Sequence, residues 1–494
     1  MSVVHGPLWC DRGLEVRGGR YPLSVEGPVL AAVGVLVPGV SSLTRLARWY
    51  ALYWALAAFA AERDLDSAAC RRVLRRSEVA LAMAYEQHYA MVPSDSPWPH
   101  ALDAIRGLTN AGEQRDLDAV YSRRQWGFWD QYNGPSVTLG TVSFVDRVLR
   151  PGRHRCPAAV VDLFRPVFEI AIEGPVSNID LDAALAFDSR TAPECARLRD
   201  ILCATPDLGE WTSDDRTRRA TLRVVARAIQ LHPSGVHDVV RALTSVVAFG
   251  PAASSDPVLA VSEHALDWRG VLLRHYSVGA WRRLWARLVD QVRVQPGTVT
   301  RGDLHEWVTS ELAGVAPTLR ALVDELPDWI DDAGHPRQAE ELVRATGASV
   351  GADIKLLLLG AIRARTLTGR ARATFLGRGG GQFLDPRWVD RRCAEHAVQV
   401  PAEFGRALVD DMLAQSRRVM MRKLILGADG RMTVFSKLHE RNGRYFAEHA
   451  EGTANVGLRV PQLAALAEQV GVFGSTPAAA LAVTDSGRRA LDLP

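Results

Sequence analysis

Helical apolar spacing runs through most of this chain and confines it to a mainly α architecture. The longest instance is Ala265 to Val294, which carries Trp268, Trp281 and Trp285. Ser41 or Ser42 is placed to cap a helix running to about Ala61, and Asp66 or Ser67 opens the next, towards Tyr89. Pro93 to Pro99 breaks it. Further helices are expected near 157–170, 193–204, 215–231, 235–248, 303–312, 317–326, 338–346, 352–366, 386–397, 402–425 and 460–470. Residues 1–40, rich in Gly and Pro, read as turns with a short strand or two over Val29 to Val37, and Asn133-Gly134-Pro135-Ser136 as a loop. Leu424 to Leu426 and Met432 to Phe435 flank Asp429-Gly430 as a β-hairpin.

At 494 residues the chain is too long for one ordinary core. Pro251 to Pro257 (PAASSDP) is the best linker candidate. The expected division is an irregular segment 1–40, helical domains 41–250 and 258–350, and a C-terminal region 351–494. Trp49 to Ala61 gives thirteen uncharged residues, short of the roughly 20 that a spanning helix needs. No membrane association is expected. Six cysteines (Cys10, Cys70, Cys156, Cys195, Cys203, Cys393) form no C-x-x-C pair, which suits a reducing cytoplasm and disfavours a zinc ribbon.

Charge is unevenly spread. From Lys355 to Arg444, eighteen Lys/Arg stand against eight Asp/Glu, a local +10 in a chain of net charge +3, so the remainder sums to −7. Lys355, Arg363, Arg365, Arg370, Arg372 and Arg378 lie in an acid-free run that ends in Gly379-Gly380-Gly381. Asymmetry of this kind points to a polyanionic partner, with phosphate the commonest and DNA favoured. The same residues also suit a face that pairs with acidic protein, within this chain or on a partner. Only Lys355, Lys423 and Lys437 are lysines, a bias that a GC-rich bacterial genome produces by itself.

Catalytic patterns are sparse. Asp353-Ile354-Lys355 fits the D-x-K half of a restriction-type nuclease core, with Glu341 (or Glu340) as an upstream acid: carboxylates hold Mg²⁺ and a Lys positions water. That motif should close a β-strand, whereas a helical Leu run follows it. His439-Glu440 and Glu448-His449 lack the spacing that puts two His on one helical face, and His232 and His237 lack a third ligand. Neither a phosphate loop with Lys and Ser/Thr nor a nucleophile elbow occurs. Gly377 to Gly381 offers backbone N–H groups to a phosphate or serves as a connector. No cofactor is implied.

Two resemblances add context. Pro38-Gly39-Val40-Ser41-Ser42-Leu43-Thr44-Arg45-Leu46-Ala47-Arg48-Trp49-Tyr50 resembles the PG-x-S-x-x-T-x-x-A-R-Y-[FY] opening of large bacterial helical proteins encoded beside helicases and nucleases in mobile or antiviral defence islands. This implies a component of a multi-protein system. It also sets Arg45 and Arg48 at a helix N-terminus, where an anion can sit. The i, i+4 pairs Trp49–Tyr53 and Tyr50–Trp54 suit core packing, or stacking platforms for bases. A helix over 460–470 followed by Thr484-Asp485-Ser486-Gly487-Arg488-Arg489-Ala490-Leu491 resembles the end of a winged-helix domain, although no wing hairpin is legible between Phe473 and Val483. The expected fold is therefore mainly α and multi-domain, with a small α+β, winged-helix-like C-terminal portion. The leading functional expectation is a non-catalytic nucleic-acid-associated protein with protein partners; a metal-dependent nuclease and a protein scaffold are the alternatives.

Overall fold

A computed structural model describes residues 14–17, 19–88, 121–174, 185, 192–235, 238–377, 383–426, 432–476 and 480–494. The chain is mainly helical with small sheets, and it divides into two compact units. Unit I comprises Met1–Ala32, Val247–Asp256 and Ala265–Val456; unit II comprises Val33–Val246, Pro257–His264 and Gly457–Pro494. These boundaries differ from the expected 41–250, 258–350 and 351–494. Pro251 to Pro257 does lie where the chain changes unit, but no break falls at 350.

Strand β1 (Leu14–Arg17) and helix α1 (Gly27–Leu36) come first. The Val29 to Val37 run is thus helical, not a strand: a short apolar run cannot be told from a buried helix by periodicity alone. Unit II is organised on α2 (Ala47–Glu62), which is apolar all round and buried along most of its length. It begins at Ala47 and is not capped by Ser41 or Ser42. Those residues sit in a preceding turn, where the Ser41 N–H donates to Thr44 Oγ1 at 2.9 Å. Helix α3 (Ser67–Gln87) opens as expected on Asp66, whose side chain accepts from the Ala69 N–H at 2.7 Å.

The expected loop at 133–136 is instead part of α4 (Trp129–Leu139), with Pro135 inside the helix. Burial of Trp129, Tyr132 and Leu139 outweighs the turn preference of Asn-Gly-Pro. Tyr132 lies 5.0 Å from Tyr50 and 6.2 Å from Trp49, and Trp129 lies 5.0 Å from Tyr53. The aromatic residues of α2 are therefore core. A hairpin, β2 (Val142–Val145) with β3 (Val148–Pro151), and α5 (Ala158–Glu173) close this layer over α2.

Glu78 is fully buried among these rings. Its carboxylate accepts from Tyr53 Oη at 2.6 Å, from Tyr121 Oη, and from the N–H groups of Phe128 (2.9 Å) and Trp129 (3.0 Å). Gly127 makes this approach possible: its φ is +59°, and a Cβ there would stand 2.1 Å from Tyr121 Oη and 2.2 Å from Glu78 Oε2.

Helices α6 (Cys195–Cys203), α7 (Ser213–Leu231) and α8 (Val239–Leu243) follow. Helix α7 starts on a capping box between Thr212 and Asp215. One turn later, Arg218 donates to the carbonyls of Ile201 and Leu202, both at 2.9 Å, and Arg219 to that of Cys203 at 2.9 Å. Two buried guanidiniums thus cap the C-terminal end of α6, where unsatisfied carbonyls and the helix dipole favour a cation.

Unit I is built along α9 (Glu263–Val294), all but its first two residues. After β4 (Val299–Thr300), α10 (Arg301–Glu311), α11 (Leu319–Asp324), α12 (Ala339–Ala345), α13 (Val350–Thr366), α14 (Gly369–Leu376), α15 (Pro386–Glu395) and α16 (Pro401–Lys423) follow. Packing of α12 on α13, and of α10 on α16, crosses residue 350, which is why no domain boundary falls there. Gly270 lets α9 and α14 approach at backbone distance: a Cβ there would meet Ala371 O at 2.4 Å. The expected hairpin appears as β5 (Ile425–Leu426) antiparallel to β6 (Met432–Phe435), with β6 also parallel to β1. Its Asp429-Gly430 turn lies outside the described residues. Strands β7 (Leu438–Arg441) and β8 (Arg444–Ala447) form a second hairpin, joined by β4.

The chain then returns to unit II with α17 (Val460–Gln469), β9 (Phe473–Ser475), β10 (Leu481–Val483) and α18 (Asp485–Leu491). A two-stranded hairpin therefore exists where none was legible, with Val483 opposite Phe473. Three-residue strands are too short to show alternation. Helix α18 is capped by Thr484, as expected. Its end is held by Arg219 on Ala490 O and Arg223 on Leu491 O, both at 2.6 Å. Cys70, Cys156, Cys195 and Cys203 are buried thiols. Among the described residues, no helix is long and apolar enough to cross a membrane.

Burial raises the Glu78 carboxyl to about 7, against the four donors that lower it. An ordinary carboxyl in the unfolded chain titrates near 4.5. Between these values the folded chain binds the extra proton, so the stability from this group is complete below about pH 4.5 and is lost as pH rises through 7. The span corresponds to roughly 3 kcal/mol. We expect the melting temperature to fall from pH 5 to pH 8 with a component that Glu78→Gln removes. Parallel curves for the two proteins would show that Glu78 does not titrate there.

Candidate nucleic-acid interface

Asp353 occupies the first turn of α13, after the Ser349 cap, and does not end a strand. Its carboxylate is 2.6 Å from Arg283 Nη2 and also takes Arg287. Glu341 accepts from Tyr276 Oη and lies 3.4 Å from Arg344; Glu340 is buried against Arg363. Lys355 is half-buried and makes no hydrogen bond or ion pair among the described residues. The acids of the D-x-K reading are therefore each neutralised by arginine within unit I. Among the described residues, no group of three or more His, Cys, Asp or Glu is placed to hold a metal. His439 stacks on Phe446, at 5.2 Å, within the β7–β8 hairpin.

The acid-free run separates into buried and exposed members. Arg363 is 1% exposed. It forms a bidentate pair with Glu340 at 2.8 and 2.9 Å and donates to the carbonyls of Trp329 and Arg337. Four of its five N–H groups are engaged within unit I, and the buried guanidinium is not presented to a phosphate. Arg370 pairs with Asp267 at 2.8 Å, which also takes Thr374. Arg365 is exposed and 3.4 Å from Asp390; exposed Arg372 donates to Ala364 O at 2.9 Å. Arg378 and Gly379 to Gly381 lie outside the described residues. In unit II, Arg48 is buried 2.7 Å from Glu194, with its guanidinium over the Phe164 ring, so its expected anion role has no exposed group behind it. Arg45 is exposed, just before α2. Charge counting alone cannot make these distinctions, because it does not see which acids lie within reach.

The arrangement that answers best to a polyanion was not expected from the sequence. Asp385 caps α15, accepting from the Trp388 N–H at 2.7 Å, with Pro386 at its first position. This fixes Trp388 beside Phe383, with ring centroids 4.2 Å apart. The indole N–H donates to buried Asp411 on α16 at 2.9 Å, and Asp411 also pairs with Arg392. Around these half-buried rings stand three guanidiniums. Arg391 and Arg392 lie 5.3 and 5.2 Å from the Trp388 ring, and Arg418 lies 4.3 Å from Phe383.

Arg392 is neutralised by Asp411 and Glu395. Arg391 and Arg418 are exposed and make no ion pair among the described residues, and neither does Arg422, one turn beyond Arg418. A guanidinium held over a ring keeps its N–H edge free for bidentate contact with phosphate. The spacing Phe383-Trp388-Arg391-Arg392 beside a helix-start signal was a usable hint. Arg418, on the next helix, was not recoverable without the α15–α16 packing.

Because Glu340 is buried with Arg363, Arg363→Ala should cost about 3–5 kcal/mol by stranding a carboxylate. Chemical denaturation measures this. A loss below about 1 kcal/mol would mean that the pair is not buried in solution. Compared with known proteins, the chain matches no family model, no curated protein and no solved structure.

Proposed function

We propose that this chain is a non-catalytic nucleic-acid-associated protein that holds the phosphate backbone through unit I. The observation that carries the reading is a group of three exposed arginines, Arg391, Arg418 and Arg422, that make no ion pair among the described residues, two of them set over Trp388 and Phe383. Arg365 and Arg372 are also exposed, on α13 and α14 of the same unit. Binding of this kind is sequence-independent and falls steeply with salt. The resemblance of the segment from Pro38 to Tyr50 to proteins of defence islands supports a place in a bacterial antiviral multi-protein system, with protein partners. A nuclease built on Asp353 and Lys355 is disfavoured by the Arg283 and Arg287 pairs on Asp353.

The test uses the full chain, because residues 350–494 span parts of both units. Fluorescence anisotropy with labelled DNA across a salt series should give a linear dependence of log affinity on log salt. Replacing Arg391 and Arg418 together by Gln should weaken binding and reduce that slope by about 1–2. No binding at low salt, or an unchanged slope in the double variant, would overturn the reading. Mg²⁺-dependent cleavage abolished by Asp353→Ala would establish the nuclease instead.

A further inference from the structure

We infer that the Phe383–Trp388 face selects single-stranded nucleic acid over duplex, an inference that rests on the nucleic-acid reading above. Three observations combine. The two rings are only half-buried, although their centroids are 4.2 Å apart. Trp388 is fixed from below, its indole N–H donating to Asp411 at 2.9 Å and its backbone N–H to Asp385 at 2.7 Å. Arg418 lies over Phe383 at 4.3 Å and Arg391 over Trp388 at 5.3 Å.

A duplex offers a surface like this its phosphates and nothing more, because its bases are stacked on one another. An unpaired strand also offers base faces, which stack on aromatic rings or on guanidinium planes held flat by them. The rings therefore add affinity only where bases are free, while Arg391, Arg418 and Arg422 serve either strand form. No base-edge reader is needed, so the selection is for strand state and not for sequence.

The experiment titrates the full chain, by anisotropy at one fixed salt concentration, with labelled oligothymidylate of about 20 nucleotides, the matching oligouridylate, and a duplex of the same length. A single strand should bind about tenfold tighter than the duplex, the two oligonucleotides showing whether DNA or RNA is preferred. Phe383→Leu should remove most of that advantage and leave duplex affinity unchanged, while Phe383→Tyr, which keeps the ring, retains it. Unchanged melting curves establish that both variants fold. Equal or tighter duplex binding, or an equal loss on both forms in Phe383→Leu, overturns the strand preference and leaves backbone binding standing. No binding by any of the three probes overturns both.

Discussion

A guanidinium withdrawn from water needs acceptors on most of its five N–H groups, and the architecture of both units depends on supplying them. Arg218 has no exposed surface and places its Nε and Nη2 donors on two carbonyls at the end of α6 and on Asp215, while its Nη1 finds no partner among the described residues. Arg363 draws on Glu340 and two loop carbonyls, and buried Arg269 on the carbonyls of Val247 and Gly250. Helix ends are the natural source of such acceptors, since the last turn leaves its carbonyls unpaired and carries negative potential. Arginine in this chain is thus as much a fastener of helix termini as a surface charge. The planar fork explains why lysine is a poor substitute: three donors on one nitrogen do not span acceptors spread as widely as those around a guanidinium.

The same economy decides which cations remain for a partner. A local excess of ten positive charges shrinks once Arg363, Arg370 and Lys437 are matched with Glu340, Asp267 and Glu451, acids of the same unit that lie outside the 355–444 stretch. Of what is left, Arg391, Arg418 and Arg422 stand on α15 and the end of α16, where buried Asp411 serves as a strut: it orients the Trp388 indole and neutralises Arg392, leaving Arg391 uncompensated. A buried acid thereby shapes a positive surface.

Much of the helical layout was legible because it rests on local signals. Asp66 and Thr484 cap the helices they open, α15 begins at the expected 386, and α9 follows its apolar pattern to within two residues of the expected start. Failures arose where tertiary burial overrode local preference, as in α4 through Asn133-Gly134-Pro135, or where a run was too short for its period to show, as in α1 and β9–β10. Site residues fared worse for a different reason. Exposure of Arg391 and Arg418, and burial of Arg363 and Arg48, depend on partners far away in sequence, and one chain read alone does not reveal which distant acids arrive.

The chain leaves unit II near residue 246, touches it again briefly over Pro257–His264, builds most of unit I, and returns at Gly457. Arg219 and Arg223 on α7 hold the end of α18, and Gln469 on α17 reaches the N–H of Ala47 at 3.0 Å. During synthesis, α2 and α7 emerge long before the segment that completes them, so unit II waits with apolar surface exposed while more than two hundred residues are added. A ribosome that stops early therefore releases a chain whose first-made half cannot finish folding.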